Sequence, residues 1–186
     1  MGMRRTLLLL ATTAAIALLA GGVALAASFP GHWESVTGDE RLYYYNPEKV
    51  YPAVVEEEAR GWTALDGRFN GRGVRLVEVG SQAEATVLID GYRDCANKDL
   101  LGAAQERERG PNLLGINTCA LDGRSRKTRE HVITHEFGHH LGSGHQPRKF
   151  CKTSVMLELV PCGRERTVLT RPGTTDVSWY KNRWVS

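Results

Sequence analysis

The sequence predicts an α+β fold: a twisted mixed sheet of about five strands, two long helices and a short helix at the C-terminus. Three observations carry this prediction. Runs of strand length, rich in β-branched and aromatic residues, recur at residues 41–45, 74–79, 85–91 and 113–121, with a shorter candidate at 100–105. Two longer stretches, residues 50–65 and about 125–141, have helical length and signals. Helix-length segments separating strands favour a partly parallel sheet.

The elements follow in order. Arg41-Leu-Tyr-Tyr-Tyr45 reads as a first strand that stops at Asn46-Pro47. Val50, Val54, Val55, Ala59 and Trp62 then recur every three to four residues, with Glu56, Glu57 and Glu58 expected on a solvated opposite face. Asp66-Gly67 and Asn70-Gly71 break that helix. Residues 74–79 alternate, residues 85–91 read as a buried strand, and residues 100–105 as an exposed edge strand. A charged loop, Glu106 to Pro111, precedes a strand expected over residues 113–121. Asp122-Gly123 turns the chain, and Ser125 or Thr128 can cap the next helix. Val177, Trp179, Tyr180 and Trp184 predict a final short helix.

The 186 residues suit one globular domain. Residues 1–27, with Arg4-Arg5 before an apolar run, have the layout of a secretory signal, which leaves residues 28–186 as the mature domain. The apolar run also has the length of a membrane anchor, so the expectation is a secreted protein or one held to the membrane by an uncleaved N-terminal helix, with the domain outside in both cases. The formal net charge is +3, and the segment removed carries two arginines and no acids, so the domain is close to neutral. It has no basic stripe of the kind a nucleic-acid binder needs. A monomer is expected.

Cys95, Cys119, Cys151 and Cys162 all follow the signal and enter an oxidising compartment, where two disulfides are expected. Of three connectivities, Cys95–Cys119 with Cys151–Cys162 closes the shorter loops, each stabilising by about 3 kcal/mol. A zinc site built from the cysteines is the alternative, although no C-x-x-C spacing is present.

His135-Glu136-Phe137-Gly138-His139 is an H-E-x-x-H run. Histidines four apart on a helix share one face and can meet one ion, and the intervening glutamate can approach a metal-bound water as general base. Catalytic zinc generally keeps three protein ligands, and His145 supplies the third. Gly142 permits this if the helix ends there in the left-handed region and turns the chain back. His131 is expected to be solvated or a neighbour of the site, His140 to point away from it, and His32 to be incidental.

The complete run, H-E-x-x-H-x-x-G-x-x-H, resembles the signature of the metzincin zinc metallopeptidases, and Ser154-Val155-Met156 looks like the methionine turn of that clan. The resemblance extends from about residue 42 to the end and is nearest to small bacterial matrixin-like proteins. It implies a metzincin-like fold, one catalytic Zn²⁺ on His135, His139 and His145, Glu136 as general base, and Met156 packed beneath the ligands without binding metal. It also implies that an extended peptide or protein substrate lies against the edge at residues 100–105. Departures are Gln146 after the third histidine, Glu158 two residues beyond Met156, no preceding cysteine-switch propeptide, and no obvious acidic cluster for Ca²⁺.

The expected activity is therefore that of a zinc metalloendopeptidase. The alternatives are a zinc-stabilised extracellular binding domain without catalysis, and a hydrolase of cell-wall peptides.

Overall fold

The computed structural model describes residues 35–157 and 168–185. Within them the order is β1 (Arg41–Tyr45), α1 (Pro52–Arg68), β2 (Arg75–Glu78), β3 (Val87–Tyr92), β4 (Gly102–Gln105), β5 (Asn112–Asn117), α2 (Thr118–Leu121), α3 (Arg126–His140) and α4 (Thr174–Trp184). The architecture is α+β, with a five-stranded mixed sheet. The expected signal at residues 1–27, His32, Glu158 and Cys162 lie outside the described residues. No helix among the described residues is long and apolar enough to cross a membrane.

The strands lie in the order β2-β1-β3-β5-β4. β1 pairs in parallel with β2 and β3, and β3 pairs in parallel with β5. β4 alone runs antiparallel, with Gly102 opposite Ile116 and Gln105 opposite Leu113, and it occupies one edge. The connection through α1 is long enough for a parallel crossover, whereas the short turn from β4 to β5 permits only an antiparallel hairpin.

Alternation along β1 buries Leu42 and Tyr44. Val54, Val55, Ala59, Trp62 and Leu65 form the buried stripe of α1, as the spacing predicts. Glu58 departs from expectation, being buried at 2 % exposure. The helix packs against α3, and Glu58 accepts a hydrogen bond from Thr134 Oγ1 at 2.7 Å across that contact. Sequence spacing counted Glu58 with its solvated neighbours because the partner lies 76 residues away.

The strand expected over residues 113–121 stops at Asn117, where the chain becomes the one-turn helix α2. Asn117 is fully buried and explains the change. Its Oδ1 caps α2 at Ala120 N and also accepts from Asp94 N, while Nδ2 donates to the carbonyls of Asp94, Asn97 and Leu100. One amide thus holds the loop that enters β4. The disulfide Cys95–Cys119, present as expected with its Cα atoms 5.2 Å apart, ties the same loop to α2. Cys151 is also disulfide-bonded.

Candidate metal centre

Helix α3 begins at Ser125, whose side chain caps Thr128 N, and ends at Leu141. Gly142 has φ 90°, its N–H reaches His139 O at 2.8 Å, and Ser143 N reaches Gly138 O at 3.0 Å. This is a Schellman ending, which satisfies the last carbonyls while reversing the chain. The reversal brings His145 back to the face of α3 that carries His135 and His139.

The three Nε2 atoms converge. They are separated by 3.0 Å between His135 and His139, 3.2 Å between His135 and His145, and 3.2 Å between His139 and His145. His135 Nδ1 lies 3.0 Å from Val155 O, and His139 Nδ1 lies 2.8 Å from Ser143 O. A carbonyl only accepts, so both Nδ1 atoms carry the proton and both Nε2 atoms present lone pairs. Two such lone pairs 3.0 Å apart repel unless a cation stands between them. Burial acts in the same sense. It holds His135 well below the usual histidine range and His139 at about 4, so neither ring is protonated at neutral pH.

These residues fit zinc. Ligand bonds of about 2.0–2.1 Å in a tetrahedral arrangement put neighbouring nitrogens about 3.3 Å apart, close to the spacing here. Carbonyl partners on the far nitrogens are the usual orienting contacts of metal-binding histidines. The three histidines form a group able to hold a metal ion.

Met156 is fully buried, with its side chain packed against Gly138 of α3. A Cβ built on Gly138 would fall inside the radius of Met156 Sδ, so any side chain at the x position before His139 must displace Met156. The turn at residues 154–156 is fixed by Asp176, near the start of α4, which accepts from Ser154 Oγ, Val155 N and Gly173 N. Asp176 was missed from the sequence, where it reads only as an acidic residue in a first helical turn. Gln146 N donates to Met156 O at 2.6 Å, so the residue after His145 is bound to the same turn.

Glu136 is buried beside the triad at 6 % exposure. Loss of hydration pushes its carboxyl up to about 8, opposed by a hydrogen bond from the backbone of Ala104. A nearby divalent cation would favour the carboxylate and draw this value down. β4 lies directly over the glutamate: a Cβ on Gly102 would meet Val132 and Glu136. The edge strand and the candidate base are therefore one packed unit, a contact that spacing along the chain could not reveal.

The other histidines divide. His140 is fully buried and its Nδ1 lies 2.9 Å from Ser35 Oγ, away from the triad. His131 is buried as well, and its ring centroid is 6.1 Å from that of His135. A second group able to hold a metal, Glu57, Glu58 and Glu130, stands between α1 and α3. These residues come together only in the fold, so spacing along the chain shows no acidic cluster.

No family model and no curated protein matches the chain. Among solved structures, a chain of the GM1-bound form of the ECX AB5 holotoxin is similar, with a TM-score of 0.56 and 16% identity over 81% of this chain and 83% of that one. At this identity the likeness concerns the fold.

Proposed function

We propose that this protein is an exported zinc-dependent endopeptidase of the metzincin type, with a metzincin-like fold over residues 28–186. The observation that carries the reading is the convergence of His135, His139 and His145 through Nε2 atoms 3.0–3.2 Å apart, with Glu136 buried beside them. A structural site has no use for a carboxylate next to three ligands, whereas a catalytic site keeps a position open for water or substrate.

Zinc, when bound, supplies a Lewis acid and brings the pKa of a water toward about 7. Glu136 then takes a proton from water on its carboxylate and hands it to the leaving amine. The Ala104 N–H holds that carboxylate in place. An extended peptide adds to the outer edge of β4 by main-chain hydrogen bonds, which presents a peptide bond beside Glu136 and the three histidines. The C–N bond breaks, the carbonyl carbon gains the water oxygen, and the amine leaves protonated.

The test compares wild-type protein with Glu136→Ala for zinc content and for cleavage of casein and quenched peptides. About one zinc in each, with turnover only in the wild type, supports the reading. Zinc in both and cleavage by neither, across a broad peptide library, leaves a zinc-stabilised binding domain.

A further inference from the structure

The segment that joins β3 to β4 has little to anchor it. Residues 95–99 are all exposed, none from 93 to 101 is fully buried, and Leu101 is the first to pack against the core. Arg93 reaches Asp122 at 3.4 Å, but an ion pair between exposed side chains adds little. Two devices hold the segment. One is the Asn117 amide, bound to Asp94, Asn97 and Leu100. The other is the disulfide Cys95–Cys119, which joins residues 24 apart and encloses β4 and β5 whole.

This segment leads straight to the candidate base. A Cβ on Gly102 would meet the Glu136 side chain, and the Ala104 N–H holds the Glu136 carboxylate. β4 is four residues long and, among the described residues, pairs with β5 alone. A short edge strand with an exposed lead-in opens at lower free energy than the core. A covalent tie disfavours such open states by cutting their chain entropy. His135, His139 and His145 all follow Cys119, so the metal ligands lie outside the tied stretch.

The exported-peptidase reading, on which this inference rests, gives the tie a use. Thiols stay reduced in the cytoplasm and pair in oxidising compartments. We propose that Cys95 and Cys119 are a redox-gated positioning pair. Oxidised, they fix β4 against Glu136 and the peptidase works; reduced, they let β4 loosen, and turnover stays slow until the chain is exported. The step is thiol–disulfide exchange. The thiolate of Cys95, which is exposed, attacks one sulfur of an external disulfide R–S–S–R and expels R–SH. The thiolate of Cys119 then attacks the Cys95 sulfur and expels the second R–SH. The protein loses two electrons and two protons, and the external disulfide gains them as two thiols.

Oxidised wild type, wild type reduced with a water-soluble phosphine, and Cys95→Ser/Cys119→Ser are loaded with zinc and given quenched peptides. A phosphine is used because thiolates compete for zinc; it takes up an oxygen from water and leaves two protein thiols. The double variant receives the same treatment, which reports separately on the bridge at Cys151. Reduced wild type and the double variant are expected to lose about tenfold or more in kcat/KM. KM rises as the edge loosens, and kcat falls as Ala104 leaves Glu136, with zinc content and circular dichroism unchanged. Amide hydrogen exchange quickens at residues 102–105 and not in α3. Glutathione disulfide restores wild type and leaves the double variant slow. If the variant alone fails to fold, reduced wild type decides. Equal kcat/KM in folded oxidised and reduced protein, a loss that appears only with release of zinc, or an equal further loss when the phosphine meets the double variant overturns the assignment. Unfolding of both reduced forms makes the bridge a plain staple and overturns it too. Failure of the peptidase reading has a different signature: oxidised wild type loaded with zinc releases no product at all, and both conclusions fall.

Discussion

The two faces of α3 each gather three side chains able to hold a metal, and they differ in how the charges are met. On one face His135, His139 and His145 aim nitrogen lone pairs at a common point, with the far sides of His135 and His139 fixed by backbone carbonyls. On the other, Glu57, Glu58 and Glu130 are countered from within the protein. Arg126 reaches both Glu57 and Glu130 at 2.6 Å, Arg171 stands 3.7 Å from Glu57, and Thr134 donates to Glu58. Convergent ligands whose demand is already answered make a structural contact. Convergent nitrogens that turn their lone pairs toward one another mark a candidate site. The glutamate face joins α1 to the back of α3, and the histidine face carries the candidate metal centre.

The largest effect that tests this contrast is expected for His139→Ala. The variant should lose stoichiometric zinc by elemental analysis and turnover by about 10⁴-fold or more, since the Lewis acid goes with the ligand. Replacing the whole glutamate face should leave zinc content unchanged. Glu136→Gln should keep the metal and lower kcat by about 10²–10⁴-fold, the usual contribution of a general base. Retention of wild-type rates on peptides would end its assigned role.

Gly138→Ala places a methyl against Met156 Sδ and Trp62, and overpacking of this kind costs about 1–3 kcal/mol. Thermal unfolding should fall by several degrees, and zinc should be held less tightly because the strain falls between two ligands. A change that leaves the metal centre untouched is expected for Glu58→Gln, read as stability against pH. Burial raises the Glu58 carboxyl from 4.5 to about 7, so between those values the folded protein holds a proton that the unfolded chain has released. The stabilisation is complete below about pH 4.5 and is lost as pH rises through about 7. It amounts to up to about 3 kcal/mol. The glutamine variant should show a flatter urea-unfolding profile and exceed wild type in stability at pH 8, with zinc content intact.

Much of this contrast was legible in the chain, and the limit was distance in sequence. His135, His139 and Gly142 are set by helical spacing and a helix stop, so their arrangement could be read directly. β1 and α4 fall where expected, and β3 and α1 lie within a few residues of their predicted bounds. Glu58 could not be placed, because Thr134 and Glu130 approach it from another helix. Asp176 could not be linked to the turn at Met156 for the same reason. The strand expected through residue 121 was cut short by Asn117, a polar residue whose five hydrogen bonds reach four residues, three of them in the segment 94–100. Apolar periodicity records which face a residue turns inward, and it carries no information about a buried polar group's partner.

β4 has a consequence for behaviour in concentrated solution. A strand that has no neighbour on one side among the described residues invites any extended chain, including a second copy of itself. Here the edge is four residues long and contains Gly102, and it runs into Glu106, Arg107, Glu108 and Arg109, all exposed. Shortness limits the ladder another copy could build, and the flanking charges disfavour its continuation. The same features would restrict any guest on this edge to a brief stay, since few main-chain hydrogen bonds would have to be undone for it to leave.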